Sequence, residues 1–281
     1  MKDIRIAAAI TRCPVGKTRE NLDGMVKWVR AAKNQRAHVI CFPEMNITGY
    51  LNRAEIRNFA EPATGRITER LISLARSEKI IILAGMAEKT DGNCIYASHL
   101  VIKPDGTADI YRKVHIAPVE KTIFKPGNRI PVFDINGVKF GIQLCYDAHF
   151  PELTTYMALN GADLIFIPHA SPRCDPAGKL KSWSRHLPAR AYDNAVFVVA
   201  CNQTGDNEMG LSFPGIAVVI APSGEIMKKW TSDKEGILLA DLTADSLARI
   251  RTHNMRYFLP NRRPGLYRLL TENGLGLSVM L

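Results

Sequence analysis

Apolar positions recur along this chain in two rhythms. Residues 4–10 and 37–42 are short, almost unbroken apolar runs, the pattern of strands buried on both faces. Between them Leu22, Met25, Val26 and Val29 return at steps of three and four, which predicts a helix over about 18–34. Ile67, Leu71, Leu74 and Ala75 mark a second helix, and 79–85 a further strand. Turn signals then dominate. A strand over 96–103 runs into Pro104-Asp105-Gly106, and one over 130–135 passes through Asn136-Gly137 into another over 138–145. Strand–helix alternation resumes with a helix over 151–160, a strand over 162–168, a helix over 178–194 and a strand over 196–202. A last hairpin pairs 212–221 with 225–230 across Pro222-Ser223-Gly224, before a strand over 236–241 and a helix over 243–252. No linker, low-complexity segment or internal repeat interrupts this order, so it predicts one α/β domain of mixed sheets flanked by helices.

Composition excludes some classes. The 281 residues are 46% hydrophobic and 23% charged, ordinary proportions that rule out a disordered chain or a fibre. Lys and Arg outnumber Asp and Glu by 37 to 27, a net +10. Part of that excess lies in 249–268, where Arg249, Arg251, Arg256, Arg262, Arg263 and Arg268 occur without an acid. Interleaved with Tyr257, Phe258 and Tyr267, the stretch suits either nucleic acid or a protein interface. The six cysteines form no Cys-x-x-Cys pair, so free thiols and a cytoplasmic location are expected. No uncharged apolar run is long enough to span a membrane. The apolar end, 272–281, is expected to dock on this subunit or a partner.

Three residues carry candidate chemistry. Glu44 lies just past a strand end in Phe42-Pro43-Glu44, where reactive groups collect in α/β sheets. Lys113 shares one face of an alternating strand with Tyr111 and His115. Cys145 ends a strand before a helix start, where a helix N-terminus and nearby cations can favour its thiolate. Singly, they read as well as a loop carboxylate, an edge-strand cation and a packed core thiol. Together they supply what amide hydrolysis needs: a nucleophile, a base that later protonates the leaving amine, and a cation for the oxyanion.

Phe42-Pro43-Glu44, Tyr111-Arg112-Lys113-Val114-His115 and Cys145-Tyr146-Asp147 with Phe150-Pro151-Glu152 resemble, in order and spacing, the three motifs of the nitrilase superfamily of carbon–nitrogen hydrolases. The resemblance implies a four-layer α-β-β-α sandwich, two stacked mixed sheets covered by helices. It implies a single hydrolase domain over 1–268, a tail over 269–281 at a subunit interface, and a homodimer or larger homo-oligomer. It also implies Glu44 as general base, Lys113 and the Tyr146 amide at the oxyanion, Cys145 as nucleophile, and Glu120 as the second glutamate that orients Lys113. No metal or organic cofactor is expected.

Tyr146-Asp147 after the cysteine looks like the amidase and carbamoylase branches, so the expected substrate is a small linear amide. An N-carbamoyl amino acid or amine is the alternative. His149, His169, Arg173 and Arg185 are the candidates for holding it, the arginines by pairing with a carboxylate. The histidines have no metal-ligand spacing, and no phosphate-binding glycine loop occurs. The rival of another class is a basic nucleic-acid or partner-binding protein without catalysis, resting on 249–268.

Overall fold

β1 (Ile4–Ile10) shows how the layers are made. Ile6, Ala8 and Ile10 enter the core between two sheets, while Ala7 and Ala9 enter a second core beneath α1 (Thr18–Asn34) and α2 (Arg66–Glu78). With both faces covered, the strand has no polar side to show, which is why its sequence runs apolar instead of alternating. β2 (Val39–Cys41) and β3 (Ile81–Lys89) divide their side chains in the same way. Leu22, Met25 and Val29 of α1 close the outer core, at about 1.5–3 kcal/mol for each side chain buried.

A computed structural model describes residues 1–90, 92 and 94–266; the predicted docking of 272–281, and the end of the domain at 268, lie outside the described residues. The first sheet runs β14 (Gly236–Leu242), β1, β2, β3, β4 (Ile95–Ile102), β5 (Ala108–Arg112). The second runs β13 (Ile226–Thr231), β12 (Ile216–Ile220), β9 (Phe197–Asn202), β8 (Leu164–His169), β7 (Val138–Ile142), β6 (Phe133–Ile135). Parallel pairs occupy the middle of each sheet and antiparallel pairs the edges. β1 lies against β9 and β12 across the inter-sheet core. α3 (Pro151–Leu159) and α5 (Leu187–Asn194) cover the second sheet, completing an α-β-β-α sandwich. Between them comes α4 (Pro176–Trp183), and α6 (Ala244–Arg251) follows β14. A small ribbon pairs β10 (Gly205–Asp206) with β11 (Ser212–Phe213).

Several predicted elements change, among them the strand expected over 130–135, which shortens to β6. The helix expected over 178–194 is two, α4 and α5, because Pro188 starts a new helix and His186 before it leaves the helical region, with φ −135°. The strand expected over 212–221 breaks at Pro214-Gly215, and its parts join different sheets. β7 stops at Ile142, three residues before Cys145. β5 stops at Arg112, so Lys113 stands beyond the strand instead of within it.

Part of the basic stretch is structural. Arg251 donates to Asp163 Oδ1 at 2.7 Å and to the carbonyls of Ala162 and Ala195, fastening α6 to the second sheet. Arg249 pairs with Asp245 one helical turn away. Among the described residues no helix is long and apolar enough to cross a membrane.

Candidate active site

Beyond β2 the chain turns through Phe42 and Pro43 to Glu44, and the turn lies flat on β3. Only glycine permits this at 85, since a Cβ there would sit 2.4 Å from the Met45 nitrogen. Phe42 N–H donates to Leu83 O, Ile47 N–H to Gly85 O, and Gly85 N–H to Asn46 Oδ1. Lys113 is clamped at its backbone: its N–H donates to Ala97 O, and its carbonyl accepts from Gly127 N–H at 2.8 Å. Gly127 approaches so closely that a Cβ would meet Arg112 O at 2.4 Å.

These two anchored loops bring three buried side chains into one network. Lys113 Nζ donates to Glu44 Oε1 at 2.9 Å and to Glu120 Oε2 at 3.0 Å. Glu120 ends the short 3-10 turn Pro118–Glu120, and its other oxygen accepts from Tyr50 O–H at 2.7 Å. Glu44 Oε2 accepts from the Ala170 amide at 3.0 Å, just past the end of β8. Its carbonyl accepts from Gln203 Nε2 at 2.8 Å, just past β9. Glu44 is therefore gripped from both sheets.

Cys145 opens the 3-10 turn Cys145–His149 with φ 42°, a left-handed conformation that is strained for a side-chain-bearing residue. Asp147 stabilises that turn. Its Oδ2 accepts from Leu144 N–H and Tyr111 O–H, and its Oδ1 from His115 N–H with the His115 ring nitrogen 2.9 Å away. Tyr111 and His115 thus flank Lys113 in sequence and hold the cysteine turn in space. The face that they share carries a brace between the two motifs.

The electrostatics set protonation states. Burial works against a charged Lys113, but Glu44 and Glu120 more than offset it and hold the ammonium well above its usual range. Burial raises the Glu44 carboxyl, with Lys113 opposing and Glu120 reinforcing. Burial first, and then Glu44, push the Cys145 thiol up to about 12, while Lys113 and Lys179 pull it down. The helix-terminus stabilisation of a thiolate that the sequence allows is thus outweighed. One 3-10 turn supplies too little dipole against burial and two carboxylates, so Cys145 rests as a thiol.

The other sequence candidates divide. Tyr146 directly follows the cysteine. His149 is exposed, its ring 4.5 Å from that of His186 and 5.7 Å from that of Tyr146. His169 is buried against Trp183 and held neutral by burial, with Nδ1 2.7 Å from Ile167 O. Arg173 is exposed in the loop before α4, and Arg185 is exposed between α4 and α5 with no hydrogen bond or ion pair to the network. Sequence reasoning passed over Tyr50, Asp147 and Gln203 as partners of the motifs, and did not single out Lys179, whose neighbours Lys181 and Arg185 are exposed. Lys179 itself is buried. A separate cavity of about 620 Å³, between α1 and the 204–205 and 233–235 segments, includes none of Glu44, Lys113 and Cys145. Among the described residues no group of His, Cys, Asp or Glu is placed to hold a metal ion.

Known proteins share both the sequence and the fold. The carbon-nitrogen hydrolase family model matches residues 6–252. A probable nitrilase of Schizosaccharomyces pombe is 32% identical over 260 residues, covering 90% of this chain and 93% of its own. N-carbamoylputrescine amidase of Solanum tuberosum is 32% identical over 267 residues, covering 88% of each chain. A cysteine-to-alanine mutant of the amidase from Nesterenkonia sp. AN1, solved in complex with butyramide, has a TM-score of 0.80 and 25% identity, covering 95% of this chain and 97% of that one. A match across nearly the whole chain, in sequence and in fold, means that this protein belongs to the nitrilase superfamily of carbon–nitrogen hydrolases, enzymes acting on carbon–nitrogen bonds other than peptide bonds.

Proposed function

We propose that the protein hydrolyses a small linear amide to a carboxylic acid and ammonia through a thioester on Cys145. Glu44 takes the thiol proton as the sulfur attacks the amide carbon, so no free thiolate has to accumulate in this buried site. The Lys113 ammonium and the Tyr146 amide N–H stabilise the oxyanion. Protonated Glu44 then gives its proton to the departing nitrogen, releasing ammonia and leaving the thioester. A water that loses a proton to Glu44 attacks the thioester carbon, the acid leaves, and the proton returns to the sulfur. Glu120, braced by Tyr50, keeps Lys113 aimed.

The observation that carries this reading is the Lys113 bridge between two buried carboxylates beside Cys145. Its test is ammonia release by wild type and Cys145→Ala across short aliphatic amides, dicarboxylic monoamides, N-carbamoyl compounds and nitriles. Turnover of an amide class that disappears in Cys145→Ala is the expected result; equal turnover in the variant overturns the reading. The likeness to N-carbamoylputrescine amidase favours one second reading, attack on an N-carbamoyl compound by the same groups. We also propose a homodimer built on Tyr156 and Leu159 of α3 and Tyr192 of α5, large apolar side chains that stay exposed on the outer layer.

A further inference from the structure

Two buried lysines act on Cys145, and their surroundings treat them oppositely. Lys113 is neutralised by two carboxylates. Lys179, in the first turn of α4 and only 4% exposed, has no carboxylate within ion-pairing distance among the described residues. Among the described residues its ammonium has one hydrogen-bond partner, the neutral Ser171 hydroxyl at 2.7 Å, which leaves two of its three N–H donors for another acceptor. The acid nearest in sequence, Asp175, is engaged as the N-cap of α4, accepting from Gly178 N–H. A buried ammonium without a counter-charge is costly, and burial lowers the Lys179 pKa accordingly, with Cys145 working the other way.

The lysine head is also held in place. Ser171 N–H donates to Asn202 Oδ1 at 2.9 Å, and Asn202 Nδ2 donates back to Ser171 O at 3.0 Å. Ser171 directly follows Ala170, whose amide holds Glu44, so Lys179 is braced by the same segment that positions the base. Arg173, exposed in the adjoining loop, adds a second positive charge that Lys179 feels.

We infer that Lys179 is the anion subsite beside the Glu44–Lys113–Cys145 cluster, receiving the far carboxylate of the substrate, so that the amide hydrolysed is a monoamide of a short dicarboxylic acid. The inference rests on the thioester reading above, since the amide carbon sits at Cys145 while the carboxylate reaches Lys179. It runs against a cationic N-carbamoyl amine, whose charge would meet an unpaired ammonium.

The test compares kcat/KM for succinamate and for butyramide, which replaces the carboxylate by a methyl group. Wild type is expected to favour succinamate by about tenfold or more, the ordinary worth of a charge-assisted hydrogen bond. Lys179→Gln should abolish that preference, mainly through KM, and Lys179→Arg should restore most of it. An unchanged ratio in Lys179→Gln, with both rates falling together, would assign the lysine to thiol chemistry and overturn the proposal. So would a wild type that prefers butyramide, a result needing no substitution at 179.

Calorimetric titration of Cys145→Ala with succinate separates this proposal from the thioester reading. Succinate binding that weakens about tenfold or more in Cys145→Ala/Lys179→Gln supports the subsite even if no amide is turned over. Absence of succinate binding overturns the subsite even if amides are hydrolysed.

Discussion

Asp147→Asn places an amide NH2 where both carboxylate oxygens face donors. If the new nitrogen takes the place of Oδ2, it meets Leu144 N–H; if it takes the place of Oδ1, it meets His115 N–H. The Tyr111 hydroxyl and the His115 ring can change roles, but a backbone amide cannot. One backbone N–H therefore loses its acceptor in either orientation, the buried one of Leu144 or the part-buried one of His115, at about 1–3 kcal/mol, and the remaining bonds lose their ionic assistance. The sum is about 3 kcal/mol of folding stability. Urea unfolding at pH 7 followed by far-ultraviolet circular dichroism measures it against wild type. Because the carboxylate also restrains the left-handed Cys145 backbone, kcat should fall more than KM rises. A variant within about 0.5 kcal/mol of wild type, with unchanged kcat, would refute the role given to this brace.

Four further outcomes are expected. Burial raises the Glu44 carboxyl, and the proposed base must be ionised, so kcat/KM should fall as pH drops through a value above the ordinary carboxylate range. Glu44→Gln should lose that limb together with about 100- to 10,000-fold of the rate, and a retained limb would point to another base. Gly85→Ala forces a Cβ onto the Met45 amide and should cost about 1–3 kcal/mol in urea unfolding, with activity lost through a displaced Glu44; wild-type activity would contradict the close approach. Burial lowers the His99 pKa from 6.5 to about 3, so the unfolded chain takes up a proton that the folded one refuses. That stability is present above the unfolded pKa and is lost as pH falls towards the folded one, by about 2 kcal/mol between pH 8 and pH 5. His99→Gln should remove this part of the slope, and an identical slope would sink the assignment. Replacing both Tyr156 and Tyr192 by Asp should lower the mass measured by light scattering if the outer helices pair two subunits, and an unchanged mass would exclude that face.

The fold was legible wherever a strand or helix has a single job. β1 is one apolar run and α1 one apolar period, and their boundaries follow from it, while α2 lies where its apolar period marks a helix. The broken spans are those in which local composition stayed favourable while direction changed. Leu187, Ala191 and Asn194 continue the burial of Lys179 and Trp183, but Pro188 marks a new helix whose axis a periodicity count does not register. Glu44, Lys113 and Cys145 could be singled out because each sits in a short motif near a strand end, whereas Glu120 was reached only through the family resemblance. Tyr50, Asp147 and Gln203 hold those residues from far along the chain; Gln203 meets Glu44 across 159 positions. Such pairings come from the stacking of the two sheets, which no local pattern encodes. Lys179 went unnoticed for a related reason. In a helix of eight residues one turn decides burial, and its sequence neighbours Lys181 and Arg185 do face solvent.

Glu44, Lys113 and Glu120 follow strands of the first sheet, whereas Cys145, Ala170, Lys179 and Gln203 follow strands of the second. In the proposed mechanism neither sheet carries a complete reaction centre, so turnover works as a built-in gauge of how the two halves of the sandwich register on one another. A slip that leaves every strand ladder intact would silence the enzyme while its circular dichroism stayed native. Graded urea should therefore extinguish ammonia release at a lower concentration than that which melts the sheets. The interval between the two midpoints measures how firmly the inter-sheet core, with Ile6, Ala8 and Ile10 at its centre, locks one half against the other.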